Sequence, residues 1–316
     1  MIRRLAILLL LLQLGAGLTL AWAGMRYAGL APGSALLAGA AAVLAVRLAL
    51  TLNNFFLSWH WRSATPERYR IGPAARLRLF LQEFSATLRC SSWSMLHPVG
   101  WRLQPQARGL PVLLLHGYAC NSGYWAQLSA RLSAAGISHY APDLEPLGAA
   151  IDDYVPQVQA AVEQLCAASG AQQVVIVGHS MGGLVARAWL RRHGSARAAG
   201  VITLGTPHHG TGLARYGIGQ NTRQMQPGHS WLVELAGAEA AAQRALLTSI
   251  FSHHDNLVAP QESGRLAGAR NLEFGAIGHV ALGRAAPVLD CVMAQIQALA
   301  APACGQSRCD GQGRIA

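Results

Sequence analysis

The stretch Gln172–Leu190, QQVVIVGHSMGGLVARAWL, constrains the fold more than any other part of the chain. Val174, Val175, Ile176 and Val177 form a continuous apolar, β-branched run. That suits a strand buried on both faces, as in a parallel sheet. Gly178, His179, Ser180, Met181 and Gly182 follow, and a helical pattern begins at once. A chain passing from strand to helix over so few residues must turn sharply. Glycine two before and two after the serine leaves no side chain to clash there. The turn sets a hydroxyl at the carboxyl end of a central strand. The helix end behind it offers an unpaired N–H and a partial positive charge to a developing oxyanion. The same residues also describe a Gly-rich turn with Ser180 as N-cap, so the reading depends on partners elsewhere.

The chain around this stretch alternates strands and helices. Residues 111–117 (PVLLLHG), 137–141, 173–177, 200–204, 245–251 and 271–277 read as strands. Residues 124–135, 152–168, 181–193 and 286–299 read as helices. This order specifies an α/β domain with a doubly wound, mostly parallel sheet. The longest insertion, between Thr211 and Ala245, holds Met225, Trp231, Leu232, Val233 and Leu235 among glycines. It reads equally as a mobile cover and as an ordinary packed helix.

A serine hydroxyl is a poor nucleophile at neutral pH and needs a base beside it. His279 follows the last strand next to a Gly turn. Asp255 follows the strand before, in HHDNLV, where it can fix the tautomer of the imidazole. The order Ser180, Asp255, His279 is that of the α/β-hydrolase triad; Asp143 is the second candidate for the acid. His116-Gly117-Tyr118 closes the first long strand. The Tyr118 and Met181 backbone N–H groups are the expected oxyanion donors, and His116 is expected to hold the loop. Cys120 reads as a small loop residue.

The N-terminal segment is of another kind. Apolar residues make up 52% of the chain and charged residues only 12%, too apolar for a wholly soluble protein. Residues 1–24 and 29–50 are two apolar runs, each long enough to span a bilayer of about 30 Å. They imply a two-helix membrane hairpin; the alternative is a cleaved signal ending at Ala21-Trp22-Ala23, followed by one anchor. The expected division is an anchor over 1–52 and an amphipathic linker over 53–108. A catalytic domain over 109–300 and a disordered tail over 301–316 follow. Within the linker, Leu77, Phe80, Leu81 and Phe84 fall on one helical face. Arg3 and Arg4 before the first run, and the arginines from Arg62 onward, exceed the single Arg26 between the runs. That places the catalytic domain on the cytoplasmic side of an inner membrane, with Cys304 and Cys309 reduced. Signal cleavage would place it in the periplasm or outside. The net charge of +11 comes wholly from scattered arginines, with no nucleic-acid module in view.

LLLHGYACNSGYW, GHSMGGLVAR, TLGTPHHGT, HHDNLV and GAIGHVAL together resemble the α/β-hydrolase superfamily from about Gly109 to Ala298. They are most similar to its lipase branch, the bacterial triacylglycerol lipases and inositol-deacylase-like lipases. The resemblance implies hydrolysis of acyl-lipid esters without an organic cofactor. Some of those lipases hold a structural calcium between aspartates, and no matching pair is found here. An acyltransferase with the same triad and a non-catalytic binding protein on the same fold are the rival readings. Head group, chain length and oligomeric state stay open.

Overall fold

The structure is a computed structural model that describes residues 1–301. Residues 302–316, with Cys304, Cys309 and nearly all of the expected tail, lie outside the described residues. In chain order the helices and strands are α1 (Ile2–Ala28), α2 (Pro32–Trp61), α3 (Pro73–Ser92), β1 (Gly100–Arg102), β2 (Val112–Leu115), α4 (Ala126–Ala134), β3 (His139–Ala141), α5 (Val155–Ser169) and β4 (Val174–His179). They continue with α6 (Met181–His193), β5 (Ala198–Leu204), α7 (Gln220–Gln224), α8 (Ser230–Ala238), α9 (Ala241–Ala245), β6 (Leu247–Ser252), β7 (Arg270–Phe274) and α10 (Ala286–Ala300).

The seven strands form one sheet in the order β1-β3-β2-β4-β5-β6-β7. All neighbours are parallel except β1, which runs antiparallel to β3. Each central strand divides its side chains between two cores. Leu113, Leu115, Val174 and Ile176 pack with α5, α6 and α8 on one face. Val112, Leu114, Val175 and Val177 pack with α4 and α10 on the other. Burial on both faces is why these strands read as unbroken apolar runs rather than alternating ones. The edge strand β1 is three residues long and half exposed, too short for a two-residue period to be visible in the sequence.

The N-terminal helices are bound closely to one another and to the domain. α1 and α2 pair as an antiparallel hairpin through small residues. Ala21 and Ala35 are buried at the contact, and a Cβ on Gly39 would collide with the Gly17 carbonyl. Small residues allow such close backbone approach where apolar surroundings supply no hydrophobic drive. Both helices are long and apolar enough to cross a membrane, with mean hydropathy 2.1.

α3 lies between this hairpin and the sheet domain. The face it buries is Leu79, Glu83, Ala86 and Cys90, not the one the apolar residues mark. Ala86 and Cys90 join the core of the α4/α10 layer. Phe80 meets Phe55 of α2 with ring centroids 5.8 Å apart, while Leu77 and Leu81 stay exposed. Further ties bind the segment 62–99 to the domain. Arg68 pairs with Glu273 at 2.7 Å, Tyr69 stacks on His253, and Asn121 Nδ2 donates to the Met95 carbonyl at 2.8 Å.

Candidate active site

Ser180 joins β4 to α6 as a single residue at φ 54° and ψ −124°. A non-glycine residue held there costs on the order of 1–3 kcal/mol, which the surrounding packing must offset. The packing is tight enough. A Cβ at Gly178 would lie 2.7 Å from the Gly182 carbonyl carbon, and one at Gly182 would lie 2.7 Å from the His116 carbonyl oxygen. The Ser180 N–H donates to the Leu204 carbonyl at 2.8 Å, and Thr206 Oγ1 donates to the Ser180 carbonyl at 2.9 Å. The turn is therefore held on both sides by the end of β5. Helix α6 begins at Met181, so its first N–H groups have no acceptor within the helix.

The loops after β6 and β7 bring Asp255 and His279 together. His279 Nδ1 donates to Asp255 Oδ2 at 2.8 Å, with both side chains nearly inaccessible to solvent. The other Asp255 oxygen accepts from the Leu257 and Val258 N–H groups at 2.8 and 2.7 Å, which fixes the carboxylate plane. Asp143 has no part in this couple: its Oδ1 accepts from the Ser122 N–H, on the far side of β2. Burial alone would lower the His279 pKa. The Asp255 carboxylate, through charge and hydrogen bond, and then Glu83 outweigh it and hold the imidazole above its ordinary value.

The His279 loop is pinned through its main chain. Asn256 Oδ1 accepts the His279 N–H at 2.9 Å. Glu83 Oε1 and Oε2 accept the Val280 and Ala281 N–H groups at 3.0 and 2.9 Å. Three consecutive donors at the start of a 3-10 turn are thus satisfied by side chains from two distant elements. The His279 carbonyl faces His179 Nε2 at 3.2 Å. The His179 ring stacks on Tyr124 at 4.1 Å, and burial, then the charge of His279, pushes its pKa well below the ordinary value. Sequence reasoning missed Glu83 and gave Asn256 no role. Asn256 stood inside a motif already singled out; Glu83 carried no signal, being one acid on a helix read from its apolar residues.

Gly117 and Tyr118 lie across from Ser180: a Cβ on Gly117 would be 2.9 Å from the Ser180 Cβ. His116 holds this loop as expected. Its Nδ1 donates to the Gly117 carbonyl at 2.9 Å, and its Nε2 accepts the Leu144 N–H at 2.9 Å. Ser180, His279, Gly117 and Tyr118 line a cleft of about 450 Å³, whose walls are largely apolar. Cys120 and Cys90 are both buried on the cleft wall. The insertion after β5 divides in two. Trp231, Leu232 and Leu235 of α8 are core residues packed towards α6. Leu213, Tyr216 and Gly217 form the cleft rim, and the Tyr118 hydroxyl donates to the Ile218 carbonyl at 2.8 Å. His208, from GTPHHG, belongs to neither. It is buried against Arg187, whose guanidinium makes a two-point ion pair with Glu239 at 2.6 and 2.8 Å.

Residues 111–228 match the protein family described as alpha/beta hydrolase fold. With the sheet order above, the chain has the α/β-hydrolase fold, and its likeness runs to the lipase branch. Two triacylglycerol lipases, from Pseudarthrobacter phenanthrenivorans and Burkholderia plantarii, are each 34% identical over 116 residues. That match covers 34% of this chain and 35% and 32% of theirs, so the chain spans about a third of the length of these relatives. Among solved structures, the mature form of Bacillus licheniformis lipase BlEst2 superposes with a TM-score of 0.56 at 18% identity. It covers 63% of this chain and 99% of its own. At that identity the likeness speaks for the fold.

The Asp255–His279 couple makes a titration prediction. A pKa raised in the folded state stabilises the fold below the ordinary histidine value of about 6.5. That contribution is lost as pH rises through the folded value. Long-range imidazole NMR on histidine-labelled protein should find His279 titrating above its ordinary value. Asp255→Asn should move it down, because burial remains and the nearest charge is gone. A His279 pKa that ignores Asp255→Asn would contradict the geometry.

Proposed function

We propose that the protein is a serine hydrolase that cleaves carboxylic esters of acyl lipids and is held at a membrane by α1 and α2. One observation carries the reading. A serine at strained backbone angles shares an apolar cleft with an imidazole whose other nitrogen is bonded to a buried carboxylate. Ser180 attacks the ester carbonyl and His279 Nε2 accepts its proton. Asp255 keeps the imidazole in the tautomer with Nδ1 protonated and balances the imidazolium. The Met181 and Tyr118 N–H groups receive the tetrahedral oxyanion. His279 then returns the proton to the leaving alcohol, and water activated by the same imidazole releases the acid. Calcium enters no step. Similarity to proteins named triacylglycerol lipases supports the acyl-ester class.

A fluorophosphonate probe should label the full-length protein at Ser180 and leave Ser180→Ala unlabelled. Ester turnover in that variant should fall by orders of magnitude. Asp255→Asn should lower kcat by about 10³–10⁴-fold while the protein stays folded, whereas Asp143→Asn should cost far less. Labelling that survives Ser180→Ala would remove the nucleophile from this scheme.

The charges flanking the hairpin support a domain on the cytoplasmic face of an inner membrane. Arg3 and Arg4 flank one end and Arg62, Arg68 and Arg70 the other, against Arg26 alone at the connection. Cytoplasmic flanks carry this excess within about 15–20 residues of the span ends. Both hairpin ends meet the domain: the Met1 amine pairs with Glu145, and Trp61 packs on Gly212. A cleaved signal would instead remove most of α1. An alkaline phosphatase fusion after residue 105 should be inactive and a cytoplasmic fluorescent reporter bright. Active phosphatase, or a mature N-terminus at Gly24, would reverse the assignment.

A further inference from the structure

Beside the reactive cleft lies a second cavity of about 320 Å³. Its walls come mainly from three helices: Ile2, Leu5 and Leu9 of α1, Leu50 of α2, and Phe84 and Leu88 of α3. Asn54, Thr87, Ser91, Met95 and Ala119 border both spaces. The groove therefore passes from Ser180 and His279, between α2 and α3, to α1. Gln13 and Arg47 also line this cavity; Arg47 donates to Gln13 Oε1 at 2.6 Å and to Ser92 Oγ at 2.7 Å, and with Asn54, Thr87 and Ser91 they place a few polar groups along a passage whose wall is mostly apolar. Leu5, Leu9 and Leu50 are 40–61% exposed, so the groove is flanked by the outward apolar surface of the hairpin.

We propose that this groove is an acyl-chain site, through which a long-chain ester reaches Ser180 sideways from the bilayer. The occupant must be apolar, narrow and continuous with the ester held at Ser180, which describes an acyl chain. The proposal rests on the ester-hydrolase reading, and its test separates the two. With the full chain in nanodiscs, kcat/KM for p-nitrophenyl esters should rise from butyrate to palmitate. The rise should reach up to about fourfold per added methylene while each one is newly buried. Ala6→Phe and Leu88→Trp fill the second cavity without touching the first. Each should leave butyrate turnover within about twofold and lower palmitate turnover at least tenfold. Equal losses on both esters, or none on either, would overturn the site while leaving the hydrolase intact. A readout free of turnover uses Ser180→Ala and a diazirine-tagged palmitic acid. Cross-links should map to peptides 2–13, 47–54 and 84–95 and be competed by plain palmitate. Cross-links confined to the outer faces, at Leu14, Leu18 and Leu44, would overturn the site even if no ester were cleaved.

Glu83 supports a second inference on independent grounds. We infer that it is a positioning residue for His279, supplied by a helix outside the region matched to the hydrolase family. Its side chain is 1% exposed, and both oxygens accept main-chain N–H groups of the two residues after His279. A Cβ on Gly278 would lie 2.7 Å from its carboxyl carbon, so helix and loop are in contact. Two accepting oxygens suit the ionised form, although burial, the largest influence, raises its pKa. The groups facing His279 are Asp255, Glu83 and His179; those facing Glu83 are His279, Asp255, Cys90 and Tyr124. Glu83→Gln removes a negative charge near His279 and one of the two acceptors. It should lower kcat at least tenfold with KM within about twofold, and move the acid limb of kcat/KM to lower pH. Glu83→Asp, which keeps the charge, should keep the limb near the wild-type pH. Active-site titration with a fluorophosphonate counts the folded sites, so a lower folded fraction is separated from slower turnover. An acid limb unmoved in Glu83→Gln would reduce Glu83 to a structural tether.

Discussion

The site depends on one main-chain crossing. β4 must end, turn over a single residue and re-enter as α6 while β2 and β5 stay in hydrogen-bonding register on either side. Gly178 and Gly182 permit it, since a Cβ at either would strike backbone rather than a movable side chain. Ser180 then has no freedom to relax from its positive φ. The Leu204 carbonyl takes its N–H and Thr206 holds its carbonyl. Strain at a functional residue persists only where neighbours over-determine it. Here the neighbours are the same strands that form the double core, so the strained geometry of Ser180 and the stability of the sheet have a common origin.

This coupling explains why so much was legible from the sequence. Strands buried on both faces need continuous β-branched runs, and a tight turn needs glycine, so β2, β4, β5 and the Ser180 turn announce themselves. Asp255 and His279 follow because a parallel sheet delivers the ends of consecutive strands to one edge. The Asp255–His279 bond at 2.8 Å shows that order along the chain was enough to pair them. β1 was invisible because three half-exposed residues carry no period. The lower end of the insertion was ambiguous for a different reason: Trp231 and Leu235 are apolar whether they cover a cleft or fill a core, and only packing against α6 distinguishes the two.

α3 shows where pattern reading fails. Its apolar residues fall into two groups. Phe80 and Phe84 meet the hairpin, while Leu77 and Leu81 face outward. The face against the sheet domain contains Leu79, Ala86, Cys90 and a charged residue, Glu83. An acid at the centre of a buried face reads as solvent-exposed in any amphipathic analysis. It is buried because it has acceptor work to do. The start of a 3-10 turn leaves N–H groups without partners, and burying them unpaired would cost about 1–3 kcal/mol each. The carboxylate satisfies two of them at once. Such an exchange needs a partner some two hundred residues away in sequence, which no local pattern contains.

The hairpin and the geometry around Ser180 and His279 are then parts of one assembly. α1 meets α2 through Gly17 and Gly39, and α2 is fastened at Trp61 against Gly212 on the cleft rim. α3 bridges the two, with Arg47 of α2 bonded to Ser91 and Ser92 at one of its ends and Glu83 bonded to the His279 loop. A helix pair held only by a flexible tether could tilt freely against the domain it carries. This one is joined at Met1 to Glu145, at Trp61 to Gly212 and at Arg47 to α3, so its orientation sets the orientation of the cleft. Arg47 is satisfied within this assembly, its guanidinium bonded to Gln13 of α1 and to Ser91 and Ser92 of α3, so it ties the three helices together at one level. With the hairpin read as a membrane element, these ties hold Ser180 at a set position relative to the acyl chains, and the groove between α2 and α3 is the proposed path between them.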